Sequence, residues 1–150
     1  MRHRVFIACL IVLPLLALPA IALAASRFYR GPVGNGANNA DIEITAKLAT
    51  SRPHRPTKLT RIEWANVPVS CGRFGRGATS DFFPKSVPVN AGSFSSTAKL
   101  HGGRETVTLS GTFHNKPRSI TGKIHVTGTV PGCSTADSGS LSWKVKPPAK

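Results

Sequence analysis

The chain has 150 residues, 20 of them Lys or Arg against six Asp or Glu, which gives a formal charge of +14 at pH 7. That length fits one domain with a sizeable core. Six scattered carboxylates exclude a calcium loop of the Asp-x-Asp type and any catalytic carboxylate pair written locally in the sequence, while so basic a surface adsorbs to polyanions.

Arg2, His3 and Arg4 precede an almost wholly apolar run from Val5 to Ile21, and Ala22-Leu23-Ala24 puts small residues at the two positions a signal peptidase reads. Residues 1–24 are therefore predicted to be a signal peptide. The run is nearly long enough to span a bilayer, but Pro14, Pro19 and the Ala-x-Ala ending favour cleavage over a retained anchor. The processed chain loses Arg2 and Arg4, two of the +14 charges, and keeps no candidate transmembrane segment.

Arg27 to Gly31 is a short candidate strand with Tyr29 on one side and Phe28 and Arg30 on the other. A Gly/Pro/Asn loop to Asn39 follows. Ile42, Ile44, Ala46 and Leu48 alternate with Glu43, Thr45 and Lys47, the period of a half-buried strand. Ser51 to Lys58 reads as an exposed basic loop, because Pro53 and Pro56 cannot donate to a ladder. Leu59 to Val69 is the next strand. Ile62 and Trp64 share one phase, whereas Leu59 and Val67 fall in the other, so a bulge or a switch of sheet is expected near Ala65-Asn66.

Gly72 to Gly77 is predicted to be a flexible basic loop around Phe74. Phe82, Phe83, Val87 and Val89 lead through the turn Asn90-Ala91-Gly92 into Ser93-Phe94-Ser95, and His101 to Arg104 forms another turn. The most sharply patterned stretch runs from Thr106 to Val130. Folded as a hairpin, it sets Val107 against Val126, Leu109 against Ile124, Gly111 against Gly122 and Phe113 against Ile120. A slip of one residue would turn one strand's apolar set to water, so this register is strongly specified. Its outer face carries threonines, ordinary for a solvated strand, with His125 opposite Thr108. A polar loop after Cys133 and a strand through Leu141, Trp143 and Val145 complete the domain, 25–146, before a flexible tail at 147–150.

No window after residue 24 has helical periodicity. About seven to nine short strands between Gly/Pro/Asn turns predict an all-β fold, an antiparallel β-sandwich of Ig-like or jelly-roll-like type. Cys71 and Cys133 are the two cysteines left after processing and are expected to form a disulfide, since neither has a Cys or His neighbour at metal-ligand spacing.

Chemistry is harder to find. Asp137-Ser138-Gly139 is similar to the surround of a chymotrypsin-like nucleophile over three residues only, and turn chemistry explains it without a catalytic base. His54, His101, His114 and His125 have no mutual spacing that makes a local metal motif and read as solvated side chains, so neither a metal nor a cofactor is expected. Trp64 and Trp143 are in phase with core residues, leaving Phe74 and one of Phe82 and Phe83 as candidate exposed rings. The candidate binding residues are Arg52, Arg55, Lys58 and Arg61, and separately Arg73 and Arg76 flanking Phe74, where cations and an aromatic suit polyanions.

Phe28 to Gly31, Val69-x-Cys71-Gly72, Gly111-x-Phe113, Thr121-Gly122 and the ending Cys133, Ser138-Gly139, Trp143 together resemble a group of small secreted β-sandwich proteins of unknown function from high-GC Gram-positive bacteria. The resemblance implies a fold and an exported location, and no activity. The expectation is a secreted or envelope-associated, non-enzymatic binding module for an anionic cell-wall polymer or polysaccharide, without a specific nucleic-acid partner. The alternatives are a small hydrolase with a site assembled from distant residues such as His125 and Asp137, or a secreted inhibitor or effector.

Overall fold

The computed structural model describes residues 25–36, 39–50, 55–115 and 118–149. The predicted signal peptide, Arg52, His54 and Lys150 lie outside the described residues. In chain order the strands are β1 (Ser26–Pro32), β2 (Asp41–Leu48), β3 (Pro56–Ser70), β4 (Arg76–Phe82), β5 (Val87–Pro88), β6 (Ser93–Leu100), β7 (Glu105–Asn115), β8 (Arg118–Val130), β9 (Cys133–Asp137) and β10 (Leu141–Val145). Two single 3₁₀ turns, Gly72–Phe74 and His101–Gly103, accompany the strands. Every strand pair is antiparallel, which matches the predicted all-β class. No helix among the described residues is long and apolar enough to cross a membrane.

β7 and β8 form the predicted hairpin in the predicted register, with Val107 on Val126, Leu109 on Ile124, Gly111 on Gly122 and Phe113 on Ile120. Val107, Leu109, Ile120, Ile124 and Val126 are fully buried. Burying each such side chain contributes about 1.5–3 kcal/mol, so the alternation that sets the register also supplies much of the local stability. The paired glycines have a packing reason. Trp143 of β10 sits opposite Gly122, Phe94 of β6 sits opposite Gly111, and the two rings stack at 6.2 Å. A Cβ on Gly111 would come 2.6 Å from Phe94 Cζ, and one on Gly122 would overlap the Ser110 carbonyl and the Trp143 ring.

β3 buries Leu59, Ile62, Trp64, Val67 and Val69, whose spacing changes phase twice. One change is the expected bulge: the register against β4 breaks between Trp64 and Val67, and Asn66 takes a left-handed φ of 53°. Asn tolerates that conformation, and its N–H donates to Ser80 Oγ at 2.9 Å. The other change is at Thr60, which is left over where Leu59 pairs with Ala46 and Arg61 with Thr45.

The strand path β1-β2-β3-β9-β8-β7-β6 carries β4 and β5 on β3, and β10 on β8. One edge of β8 is shared, Ile120–Ile124 pairing with β10 and Thr127–Val130 with β9. β10 in turn meets β1 through the bridges Arg30–Lys146 and Val33–Trp143. β1, β2, β3, β9, β8 and β10 thus close a hydrogen-bonded circuit around one core, to which β2, β3, β7, β8 and β10 all contribute side chains. The Cys71–Cys133 disulfide, with Cα atoms 5.4 Å apart, ties the exit of β3 to the start of β9, where the β3–β9 ladder is a single pair, Ser70–Asp137.

Three segments read as loop are strand. β3 starts at Pro56 rather than Leu59, since a proline at the first strand position needs no ladder N–H. β4 begins at Arg76, and its only buried residue is the hydroxylic Thr79. β9 occupies the polar segment after Pro131-Gly132 and buries only Cys133 and Ala136.

Candidate functional site

The predicted basic residues do not form one surface. Arg52 lies outside the described residues. Arg55 and Lys58 are exposed at the start of β3, where Lys58 is opposite Lys47. Arg61 points two nitrogens at Glu63, 2.8 and 2.9 Å away, so its charge is already answered. Arg73 lies 5.0 Å from the centre of the exposed Phe74 ring, and Arg76 is opposite Ser70 at the far end of β3. From Lys58 to Ser70 at about 3.3 Å per residue is on the order of 40 Å, too far for one compact ligand to reach both groups. Phe74 is exposed as expected, Phe82 is the exposed one of the Phe82–Phe83 pair while Phe83 is buried, and Phe28 is a further exposed ring.

The carboxylates are more informative than the cations. Asp41, Glu43, Glu63 and Asp81 line one depression of about 440 Å³, and Glu105 lies beside Asp81. Five of the chain's six acidic residues are therefore gathered on one side. Arg30 bonds there to Asp41 at 2.8 Å and approaches Glu43 at 3.3 Å. Among the described residues, Arg30 and Arg61 are the only Lys or Arg in ion pairs, so most of the positive charge described has no carboxylate partner.

A second depression, about 690 Å³ and shallow, lies along β6, β7, β8 and β10. Hydroxyls of Ser93, Ser110, Thr112, Thr121 and Ser142 line it, with Lys123 and Lys144 exposed at its margin. The register brings these together: Lys123 pairs with both Ser110 and Ser142, and Lys144 pairs with Thr121. What reads from β7 and β8 alone as a plain threonine face becomes a cationic basin once β10 is placed next to β8. No local pattern in the sequence announces that pairing.

His125 and Asp137 do meet, Nε2 to Oδ1 at 2.8 Å. The same Asp137 oxygen accepts the Gly139 N–H at 2.7 Å, and this bond, with His125 second, holds the Asp137 carboxyl below its ordinary range. Ser138 is not poised as a nucleophile, because its hydroxyl donates to the Gly139 carbonyl at 2.7 Å and accepts the Val126 N–H at 2.8 Å. The Asp-Ser-Gly segment is a hydrogen-bonded turn.

A second histidine has a different setting. His101 Nε2 is 2.6 Å from Asp81 Oδ2 and 3.7 Å from Glu105 Oε2. Glu105 is 1 % exposed, and its Oε1 has no hydrogen-bond partner. Burial, with Asp81 next, pushes the Glu105 carboxyl above the usual range, while His101 and the Thr79 hydroxyl oppose that only in part. The sequence gives His101 and Glu105 at a spacing of four, but Asp81 comes from β4, itself unseen in the pattern. No family model matches this chain, and no curated protein or solved structure matches it either.

Proposed function

We propose that the chain is an exported, non-enzymatic module that binds an anionic polymer, such as a cell-wall polyol phosphate or an acidic polysaccharide, along the basin bordered by Lys123 and Lys144. The observation that carries this reading is the separation of charge: five of six carboxylates are gathered on one side, and none of them lines the basin. A polymer with repeating anions and hydroxyls suits a shallow, open trough, whose lining sets hydroxyls and lysines beside Phe94, Trp143 and glycines, better than a small molecule does, since small ligands favour enclosed clefts. The acidic side disfavours the same polymer and so orients it. A signal peptide over residues 1–24 and a disulfide both fit an oxidising destination outside the cell.

The test is retention on heparin and on wall teichoic acid at about 0.15 M salt, where the Debye length is about 8 Å and diffuse attraction is screened. Lys123→Gln with Lys144→Gln should abolish most retention. Arg61→Gln should change little, because that cation is paired with Glu63. Retention that ignores the lysine pair but falls when Arg55 and Lys58, or Arg73 and Arg76, are neutralised would move the site to the basic loops, and insensitivity to all of them would refute the reading.

A further inference from the structure

The geometry points to a site for one divalent cation of the zinc class on the acidic side, held by His101 Nε2 and one carboxylate oxygen each from Asp81 and Glu105. It is independent of the polymer-binding reading, since it shares no residue with the basin. The three ligand atoms already lie within 4.8 Å of one another. Around a tetrahedral zinc, bonds of about 2.0–2.1 Å place ligand atoms about 3.3 Å apart, so a small adjustment of side chains completes the set.

Glu105 supplies a second, separate observation. A carboxylate oxygen buried without a partner is costly, and Glu105 Oε1 is such an atom. The nearest cationic candidate, His101, is 49 % exposed in its side chain and lies closer to Asp81, so one imidazole is divided between two carboxylates. A divalent cation would neutralise both at once, with a neutral imidazole as the third ligand. One nitrogen and two oxygens suit zinc better than calcium or magnesium, which take oxygen sets.

The backbone holds the ligands in place. His101 adopts a left-handed φ of 51°, unusual for a residue with a side chain, and Gly102 and Gly103 follow at 71° and 90°. Arg104 Nε donates to the His101 carbonyl at 3.1 Å, and the Arg104 carbonyl accepts the Thr129 N–H at 2.8 Å. His101 also borders a cavity of about 230 Å³ with Arg104 and Thr129.

The test uses the full chain stripped with a chelator and titrated with Zn²⁺ by calorimetry, with the histidine ring signals followed by NMR. The expected result is one saturable ion per chain, a shift of the His101 ring, and no comparable binding of Mg²⁺ or Ca²⁺. Glu105→Gln and His101→Gln should each weaken binding at least 100-fold, while His114→Gln and His125→Gln leave it unchanged. If Glu105→Gln fails to fold, His101→Gln and Asp81→Asn decide the matter, judged on variants with the parent's circular dichroism. Absence of saturable binding, or binding that survives the His101 change, would overturn the assignment.

Discussion

Replacing Gly111 by alanine tests the packing reason for the paired glycines. The added methyl would sit 2.6 Å from Phe94 Cζ and 2.9 Å from Trp143 Cη2, about 1 Å inside ordinary contact. Overpacking of this kind costs about 1–3 kcal/mol, whereas alanine gains about 0.4–1 kcal/mol by restricting the unfolded chain, so a net loss of about 1–2 kcal/mol is expected. Urea denaturation would read it as a lower midpoint at constant slope. The nearest atoms are the far end of the Phe94 side chain, so Phe94→Leu should relieve the larger part of the clash, leaving the Trp143 contact, and the double variant should lose at least about 1 kcal/mol less than the two single losses together. Gly122→Ala behaves differently, because its methyl meets the Ser110 carbonyl in the β7 backbone, and Phe94→Leu should not rescue it. A Gly111→Ala protein as stable as its parent, or strict additivity with Phe94→Leu, would refute the account.

Cys71→Ser with Cys133→Ser opens a loop set by a sequence separation of 62, and the chain-entropy relation puts the loss at about 4 kcal/mol, measurable by comparing denaturation of oxidised protein and variant. Asn66→Gly should fold with little penalty, whereas Asn66→Val at a φ of 53° should lose about 1–2 kcal/mol in the same assay. Because the Asp137 carboxyl is held below its unfolded value, its contribution is present above an unfolded pKa of 3.8 and is lost as pH falls through the lower folded one. NMR titration should place its midpoint below 3.8. His125→Ala should raise that midpoint only part of the way, since the Gly139 N–H is the larger cause. Full reversion in that variant would show the ranking of causes to be wrong.

Elements whose buried face is built from Val, Ile and Leu are legible from the residue pattern alone. β7 and β8 carry five fully buried aliphatic residues and emerge in the correct register, and β2 alternates cleanly. β4 and β9 are not legible, because their inward positions are Thr79, Cys133 and Ala136, too polar or too small to mark a period. The bulge at Asn66 is visible as a change of phase, while the one at Thr60 is masked by that same change. Both candidate sites depend on pairings between strands distant in sequence. Lys144 reaches Lys123 only through β10 on β8, and Asp81 reaches His101 only through β4, a strand that the pattern does not mark and whose first two residues it reads as loop.

The bridging of β1 to β10 has a mechanical consequence. Those two strands run antiparallel, with Arg30 bonded to Lys146 at 3.0 and 3.1 Å, so the chain enters and leaves the domain side by side at one pole. Tension applied between residues 26 and 146 loads these bonds one after another, as in opening a zip, and not all together as in shear. β1 and β10 should therefore peel apart at low force, while the Cys71–Cys133 bridge shields everything between those cysteines from extension. For the same reason a short linker joining the two ends, with new termini cut in an exposed turn such as Asn90–Gly92, should give a circular permutant that still folds.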